Sequence, residues 1–397
     1  MMNYQHQLRP YQKEAATAAV DFFNSNIKGN AIEVLPTGSG KSLVIAKIAE
    51  ELNEPVLVFQ PTKEILEQNY QKFLAYEGEQ NVGIYSASVG RKEIRPVTFA
   101  TIGSVIRKSD ILSIFKHIIV DECHYVNAKG GMYRDLFQEL GNVKIIGLTA
   151  TPYRLVTDGF GGSILKFLTR TRPRVFQHVI YFVQNKDLFD EGYLAKLRYV
   201  VKNDFEKSRL KLNTTGADYT DESVKRYYKK INFRDRVAQI SLDLSEKRKS
   251  VLVFTRFIAE SEYVVEKIPG AVIVTGKTKK RDRANIINGF KRGQIPVVCN
   301  VGVLTHGFDY PELDTILIAR PTMSLALYYQ MIGRGIRIHP DKEHALIVDA
   351  CDNFRMFGPI ENLRMIDTGN GKWIISSNGR QLTNIYYGDK VGYHNSP

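Results

Sequence analysis

Cysteine is scarce, with three residues in a chain of 397 (Cys123, Cys299 and Cys351), all far apart. That spacing offers neither a disulfide framework nor a CxxC zinc site. No apolar run comes near the roughly 18 residues needed to cross a bilayer. The opening MMNYQHQLRP lacks the apolar stretch of a secretory signal. There is a single tryptophan, and no low-complexity tract or solenoid-type repeat. These shortages argue against a stapled secreted domain, a membrane protein and a metal-cluster protein. The expectation is a reduced, cytoplasmic chain with no membrane partner.

What the chain has in excess is positive charge. Fifty-five Lys and Arg against 42 Asp and Glu leave a net charge of +13, with a pI near 9.4. Such an excess suits polyanionic partners, because neutralising phosphates releases condensed counterions. A soluble protein that is merely basic fits the same numbers. With 43% hydrophobic and 24% charged residues, the composition is that of a globular chain long enough for two cored domains.

Strand-length apolar runs alternate with helical patterns, the signature of parallel sheets covered on both faces. The first half has AIEVL (31–35), VLVF (56–59), VGIYS (82–86), PVTFA (96–100), HIIV (117–120) and VKIIGL (143–148). The second has VLVF (251–254), AVIVT (271–275), PVVCN (296–300), TILIA (315–319) and ALIVD (345–349). A basic, aromatic stretch separates them, including LKFLTRTRPRVFQ (165–177) and the loop TTGADYTDES (214–223). Past Asp349, two Asn-Gly steps between apolar or aromatic runs predict a small antiparallel meander. The expected division is 1–175, 176–360 and a β tail over 361–397.

LPTGSGKS (35–42) follows a strand and opens the helical pattern KSLVIAKIAEEL. A glycine-rich turn there lets backbone N–H groups of Thr37, Gly38, Ser39 and Gly40 close around phosphate oxygens at a helix N-terminus. Lys41 then reaches the β and γ phosphates, and the Ser42 hydroxyl ligates Mg²⁺. Leu35 stands where GxxxxGK[ST] has glycine, so the match is to the shorter TGxGK[ST] form. HIIVDECH (117–124) delivers Asp121 and Glu122 at a strand's carboxyl end, Asp121 for Mg²⁺ and Glu122 for the attacking water. YYQMIGRGIRIHP (328–340), if helical, places Gln330, Arg334 and Arg337 on one face, with no acid before Asp341.

Taken together, these stretches resemble a superfamily 2 helicase of the DEAD/DEAH box kind, here with a DECH box, over roughly residues 8–350. The chain is most similar to the RadD-like branch through LRPYQKEA, LPTGSGKSLVIA, IVDECH, GLTATPYRL, VGVLTHGFD and QMIGRGIRI. Phage-type helicases that remodel branched DNA are also similar. The resemblance implies two tandem RecA-like doubly wound parallel-sheet domains, α/β in class, with a nucleotide cleft between them and a short C-terminal β-meander.

It further implies ATP and Mg²⁺ as cofactors, with Arg9 and Gln12 at the adenine. Gly307 and Asp309 of GFD would approach the nucleotide from the second domain. Arg334 and Arg337 would be arginine fingers and Gln330 would place the water. His124, Thr149 and Thr151 would relay the nucleotide state. Thr62, Thr101, Arg256, Thr275 and Thr305 would hold the nucleic-acid backbone. Even so, each threonine alone reads equally well as a turn or cap residue.

The implied activity is an ATP-dependent DNA helicase or translocase acting on branched DNA in repair, recombination or replication. It would work as a bacterial or phage-type monomer, with single-strand-binding or recombination proteins as partners. An RNA helicase, a nucleotide-switched DNA clamp that never translocates and a metabolic P-loop kinase are the competing readings.

Overall fold

The computed structural model describes residues 8–77, 81–157, 163–202, 204–305 and 308–387. Gly307 lies outside the described residues. The chain divides into two compact units: Met1–Arg154 with Lys166–Gln184 and Ile366–Ile374, and Leu155–Leu165 with Asn185–Met365 and Ile375–Pro397.

The first unit is built on a sheet of β1 (Ala31–Val34), β2 (Val56–Phe59), β3 (Val82–Ser86), β4 (Arg91–Lys92), β5 (Val97–Ala100), β6 (His117–Asp121) and β7 (Lys144–Thr149). After β8 (Tyr153–Thr157) and β9 (Ser163–Phe167), β10 (His178–Phe182) returns to this sheet beside β1. The strand order is β10-β1-β7-β6-β2-β5-β3-β4, parallel except for the β3–β4 pair. Because β10 pairs with β1, an edge strand of this sheet lies past residue 175.

β1, β2, β5 and β6 are buried along their whole length, which is why they read as unbroken apolar runs. Helices α1 (Pro10–Asn24), α2 (Lys41–Leu52) and α3 (Lys63–Glu77) cover one face. Ala15, Ala19, Ile45, Ala49, Leu66 and Phe73 pack there against Ala31, Val58 and Phe99. The short helix α4 (Ile102–Val105) follows β5. Glu33 is the exception in this core: its fully buried carboxyl has no partner, and burial pushes its pKa well above the ordinary carboxylate range.

The second unit's sheet joins β11 (Lys196–Val201), β12 (Val251–Thr255), β13 (Val272–Val274), β14 (Val297–Asn300), β15 (Thr315–Ala319) and β16 (His344–Asp349). Its order is β11-β16-β15-β12-β14-β13, all parallel. Both VLVF runs are interior strands. Near the C-terminus β17 (Leu363–Asp367), β18 (Trp373–Ser377) and β19 (Arg380–Gln381) form the expected small sheet. β18 and β19 turn through Asn378 and Gly379, both at positive φ. The last aromatic run departs from that expectation: β20 (Tyr386–Tyr387) pairs antiparallel with β9. The Trp373 ring packs edge-on against Phe182, with centroids 5.1 Å apart.

No helix among the described residues is long and apolar enough to cross a membrane. Nor do those residues contain a metal-binding group of three or more His, Cys, Asp or Glu.

Candidate functional site

Ligand sites in open parallel sheets lie beyond the carboxyl ends of the strands. In the first unit that edge carries, from one side to the other, the phosphate loop after β1, Thr149 at β7, Asp121 at β6, Gln60 after β2, Thr101 after β5 and Ser86 at β3. Leu35 N–H donates to Thr149 O at 3.0 Å, which fastens the root of the loop to β7. Gly38 and Gly40 lie at φ of +80° and +83°, a region that costs little only for glycine.

Tyr11 Oη and Gln12 Nε2 each donate to Ser39 O at 2.7 Å, and Gln12 Oε1 accepts Arg9 N–H at 2.9 Å. The structure therefore brings Arg9 and Gln12 to the phosphate loop, with the Gln12 carboxamide gripping that loop. The grip leaves no room at Gly40, where a Cβ would lie 2.5 Å from Gln12 Nε2. Gly40→Ala, strained and crowded at once, is expected to destabilise the first unit by more than about 1 kcal/mol and to weaken ATP binding. Thermal unfolding and nucleotide titration check both effects.

Lys41 heads α2, and its Nζ lies 3.3 Å from Glu122 Oε1. Asp121 Oδ1 accepts Glu122 N–H at 2.9 Å, while Glu122 itself adopts a left-handed backbone with φ of 49°. That turn sets the two neighbouring carboxylates in different surroundings. Burial, together with the charge on Glu122, pushes Asp121 up to about 7, against the pull of Lys41. Burial would also raise Glu122, but the Lys41 ammonium and the His124 ring outweigh it and hold the carboxyl well below the usual range. Glu122 is thus kept ionised, the state a general base requires.

The relay residues converge as well. His124 Nδ1 stands 3.3 Å from Glu122 Oε2, 2.9 Å from Thr149 Oγ1 and 3.0 Å from Thr151 Oγ1. Thr151 N–H donates to Thr149 Oγ1 at 3.0 Å. A continuous polar path therefore runs from Lys41 through Glu122 and His124 to Thr149 and Thr151.

Sequence reasoning missed Asn69. This buried amide on α3 accepts from Ser42 Oγ at 2.7 Å and donates to Asp121 Oδ2 and Gln60 Oε1, each at 3.0 Å. The available signal was a polar residue on the buried stripe of Leu66, Tyr70 and Phe73. Ser42 and Asp121 thus present hard oxygen donors to one place, a set that fits a small divalent cation such as Mg²⁺.

At the far side of the same edge, Thr101 Oγ1 lies 3.0 Å from Ser86 Oγ and 2.9 Å from Ser104 Oγ, and Thr62 Oγ1 accepts Ile65 N–H at 3.3 Å. Both threonines therefore shape the turns that open α3 and α4, and the Thr101 hydroxyl clusters with those of Ser86 and Ser104.

The second unit departs from the sequence expectation in three ways. First, Gln330, Arg334 and Arg337 do not share a helical face. The helix Leu325–Ile332 stops before Arg334, and the chain turns through Gly333 and Gly335. Gly335 needs its bareness, because a Cβ there would come within 3.1 Å of Ala345 Cβ and 3.2 Å of Ile316 Cδ1. Second, Arg337 has an acid partner: its Nη1 lies 2.6 Å from Asp309 Oδ1. Arg334 donates to Phe308 O at 3.0 Å and Gln330 O at 3.2 Å. The two arginines thus brace the segment that carries Asp309, and Gln330 is buried beside them.

Third, Arg256, expected on the nucleic-acid backbone, is engaged within the unit. Its side chain, 9% exposed, pairs with Asp218 at 3.0 Å and Asp221 at 2.9 Å and donates to Tyr219 O at 2.7 Å. Thr275 closes a turn with Thr278, accepting Lys277 N–H at 3.2 Å. Thr305 is buried, in a loop whose start is pinned by Asn300 Oδ1 accepting Val303 and Leu304 N–H. All three lie past the carboxyl ends of their unit's strands.

Two parallel-sheet units, one with a phosphate loop and acid pair and the other with an arginine-rich turn, define a tandem P-loop motor fold. Residues 5–154 match the family described as type III restriction enzyme, res subunit, and residues 232–339 match the helicase conserved C-terminal domain. The putative ATP-dependent helicase IRC3 of Saccharomyces cerevisiae is 26% identical over 86% of this chain and 51% of its own. The DNA 3′-5′ translocase XPB2 of Sulfurisphaera tokodaii is 25% identical over 86% of this chain and 81% of its own.

A putative HsdR subunit of a type I restriction enzyme from Vibrio vulnificus superposes with a TM-score of 0.63 at 20% identity. That match covers 88% of this chain and 66% of that one. Across three of its curated relatives the chain spans 66%, 51% and 58% of their lengths. Across these two matched stretches and these relatives, the chain is similar to the superfamily 2 helicases.

Proposed function

We propose that this protein is an ATP-driven motor on DNA that unwinds or remodels branched duplexes, tracking 3′→5′. The observation that carries the reading is the path Lys41–Glu122–His124–Thr149/Thr151, which ties the phosphate loop and the general base to the chain segment leaving β7. A hydrolytic site wired in this way lets loss of the γ-phosphate alter a segment beyond the pocket. DNA as the track is supported by the net charge of +13 and by the relative named as a DNA 3′-5′ translocase. The stretches shared with RadD-like and phage-type helicases favour branched substrates.

In this scheme ATP sits on the loop Thr37–Ser42 with its adenine toward Arg9 and Gln12. Glu122 takes the proton of the attacking water. The second unit contributes Arg334 and Arg337, held in place by Asp309 and the Phe308 carbonyl, with Gln330 at the water. Ser42 and Asp121 would hold Mg²⁺, which supplies charge neutralisation at the β and γ phosphates. Thr62, Thr101, Thr275 and Thr305 contact the strand through phosphates without reading sequence.

Arg256 reaches phosphate only if Asp218 and Asp221 release it, so its role is to fix the 218–221 segment. Glu122→Gln keeps the shape and removes the base. Hydrolysis is expected to fall by about 10²–10⁴-fold while ATP remains bound, as single-turnover assays and nucleotide titration would check.

The test of the function is ATPase stimulation by single-stranded, forked and four-way DNA and by RNA. The expected result is strong stimulation by DNA, with displacement of a labelled strand from forks. Stimulation that requires the 2′-OH would make it an RNA motor. Stimulation without displacement of a triplex or of streptavidin would make it a clamp.

A further inference from the structure

Asn69 occupies a place on the first unit's carboxyl edge where the candidate nucleotide side and the candidate nucleic-acid side meet. It rises from α3 over the junction of β6 and β2, adjacent strands in the sheet. On one side it holds Ser42 Oγ and Asp121 Oδ2, the two groups placed at the metal. On the other it holds Gln60 Oε1. Gln60 is fully buried, its N–H donates to Ala100 O at 2.9 Å, and Pro61 and Thr62 follow it directly. Ala100 in turn precedes Thr101. A single carboxamide therefore bonds to the phosphate loop, to the DECH box and to the residue from which both candidate strand-holding threonines of this unit are hung.

The directionality of those bonds matters. The Asn69 carbonyl accepts once and its amide donates twice, so both of its donors are used only while Asp121 and Gln60 are in place. Shifting Ser42 or Asp121 must therefore disturb the bond to Gln60, whose own Nε2 is buried without a partner. A buried amide left without one of its partners is costly, and that cost biases the Pro61–Thr62 turn. Leucine, close in shape, fills the same space and makes none of the three bonds.

We infer that Asn69 is a positioning residue that holds Ser42 and Asp121 in register for the metal-bound nucleotide and transmits their placement through Gln60 to the Thr62 and Thr101 edge. This rests on the function proposed above, and three proteins separate the two ideas: wild type, Asn69→Leu and Gln60→Leu. The readouts are thermal unfolding, binding of a fluorescent ATP analogue as Mg²⁺ is titrated, and the ratio of ATPase rates with and without saturating single-stranded DNA.

For folded Asn69→Leu, the Mg²⁺ needed for half-maximal analogue binding is expected to rise by about tenfold or more, and the DNA stimulation ratio to fall toward one. Gln60→Leu is expected to lower the stimulation ratio and, because the coupling through Asn69 is reciprocal, to raise the Mg²⁺ half-saturation point by less than Asn69→Leu does. A folded Asn69→Leu with wild-type Mg²⁺ dependence and a wild-type stimulation ratio overturns the inference. If Asn69→Leu fails to fold, an unchanged stimulation ratio in Gln60→Leu overturns it. Wild type without any stimulation by nucleic acid refutes the functional reading instead, and the Mg²⁺ titration then still decides the metal-positioning half.

Discussion

Lys41→Met is expected to reduce ATP hydrolysis by about 10²–10³-fold or more, with salt-sensitive DNA binding retained. Two effects combine. The ammonium is the cation at the head of α2 proposed to meet the β and γ phosphates, where developing charge has most need of a fixed partner. It is also the group 3.3 Å from Glu122 that overcomes burial and keeps that carboxyl ionised. Without it, burial is opposed only by the His124 ring and the carboxyl's pKa rises, so the residual rate should begin its fall on the acid side at a higher pH than wild type. Steady-state ATPase profiles against pH, with fluorescence anisotropy for DNA, measure both. DNA affinity is expected to stay within a fewfold because the candidate strand contacts at Thr62 and Thr101 lie on the other side of the sheet edge.

Arg337→Ala is the second large effect, with hydrolysis expected to fall by about a thousandfold and ATP affinity to change little. The guanidinium lies 2.6 Å from Asp309, so its charge is balanced by an acid rather than left bare. An arginine stored in this way costs little to keep and is available to a stronger anion when one arrives. Removing it also strips Asp309 of its ion pair. Asp309→Asn should therefore loosen the same turn while sparing much of the rate, which distinguishes a finger from a strut. Rapid-quench measurement of the chemical step, alongside nucleotide titration, gives the comparison. A normal chemical step in Arg337→Ala would refute the finger assignment.

The legibility of this chain in sequence follows from where its information lies. Fully buried parallel strands such as Val56–Phe59 and Val251–Thr255 announce themselves as continuous apolar runs, and so do the loop LPTGSGKS and the box DECH that follow or end such strands. Strands with a wet side did not. Lys196–Val201 alternates charged and apolar residues along a sheet edge, and His178–Phe182 lies half-buried within a basic stretch, so neither resembled its interior counterparts. A helix continued through GRGIRI would put Gln330, Arg334 and Arg337 on one face, but the helix carrying Gln330 stops at Ile332. Just past its end the backbone of Gly335 runs where a Cβ would come within 3.1 Å of Ala345 and 3.2 Å of Ile316, neighbours that no local window of sequence shows.

Ionic partners were equally hidden. Asp309 for Arg337, and Asp218 and Asp221 for Arg256, lie far away in the chain. A guanidinium without a nearby acid in sequence is therefore not one without an acid in space. Asn69 escaped for a related reason. Its role arises only when Ser42, Gln60 and Asp121, from three separate segments, meet around one helix.

If, as proposed, both units act on one triphosphate, nucleotide must alter how they are disposed. The three native cysteines are buried, which leaves engineered thiols as the sites for labelling. Spin labels at Ile27→Cys in the first unit and Glu266→Cys in the second, both solvent-exposed, report the inter-unit distance by pulsed electron resonance. With Mg²⁺, a beryllium-fluoride complex of ADP and single-stranded DNA, the distance distribution is expected to shift and narrow, and in the Lys41→Met background to stay as in the nucleotide-free protein. An identical distribution with and without bound nucleotide and DNA would contradict the account.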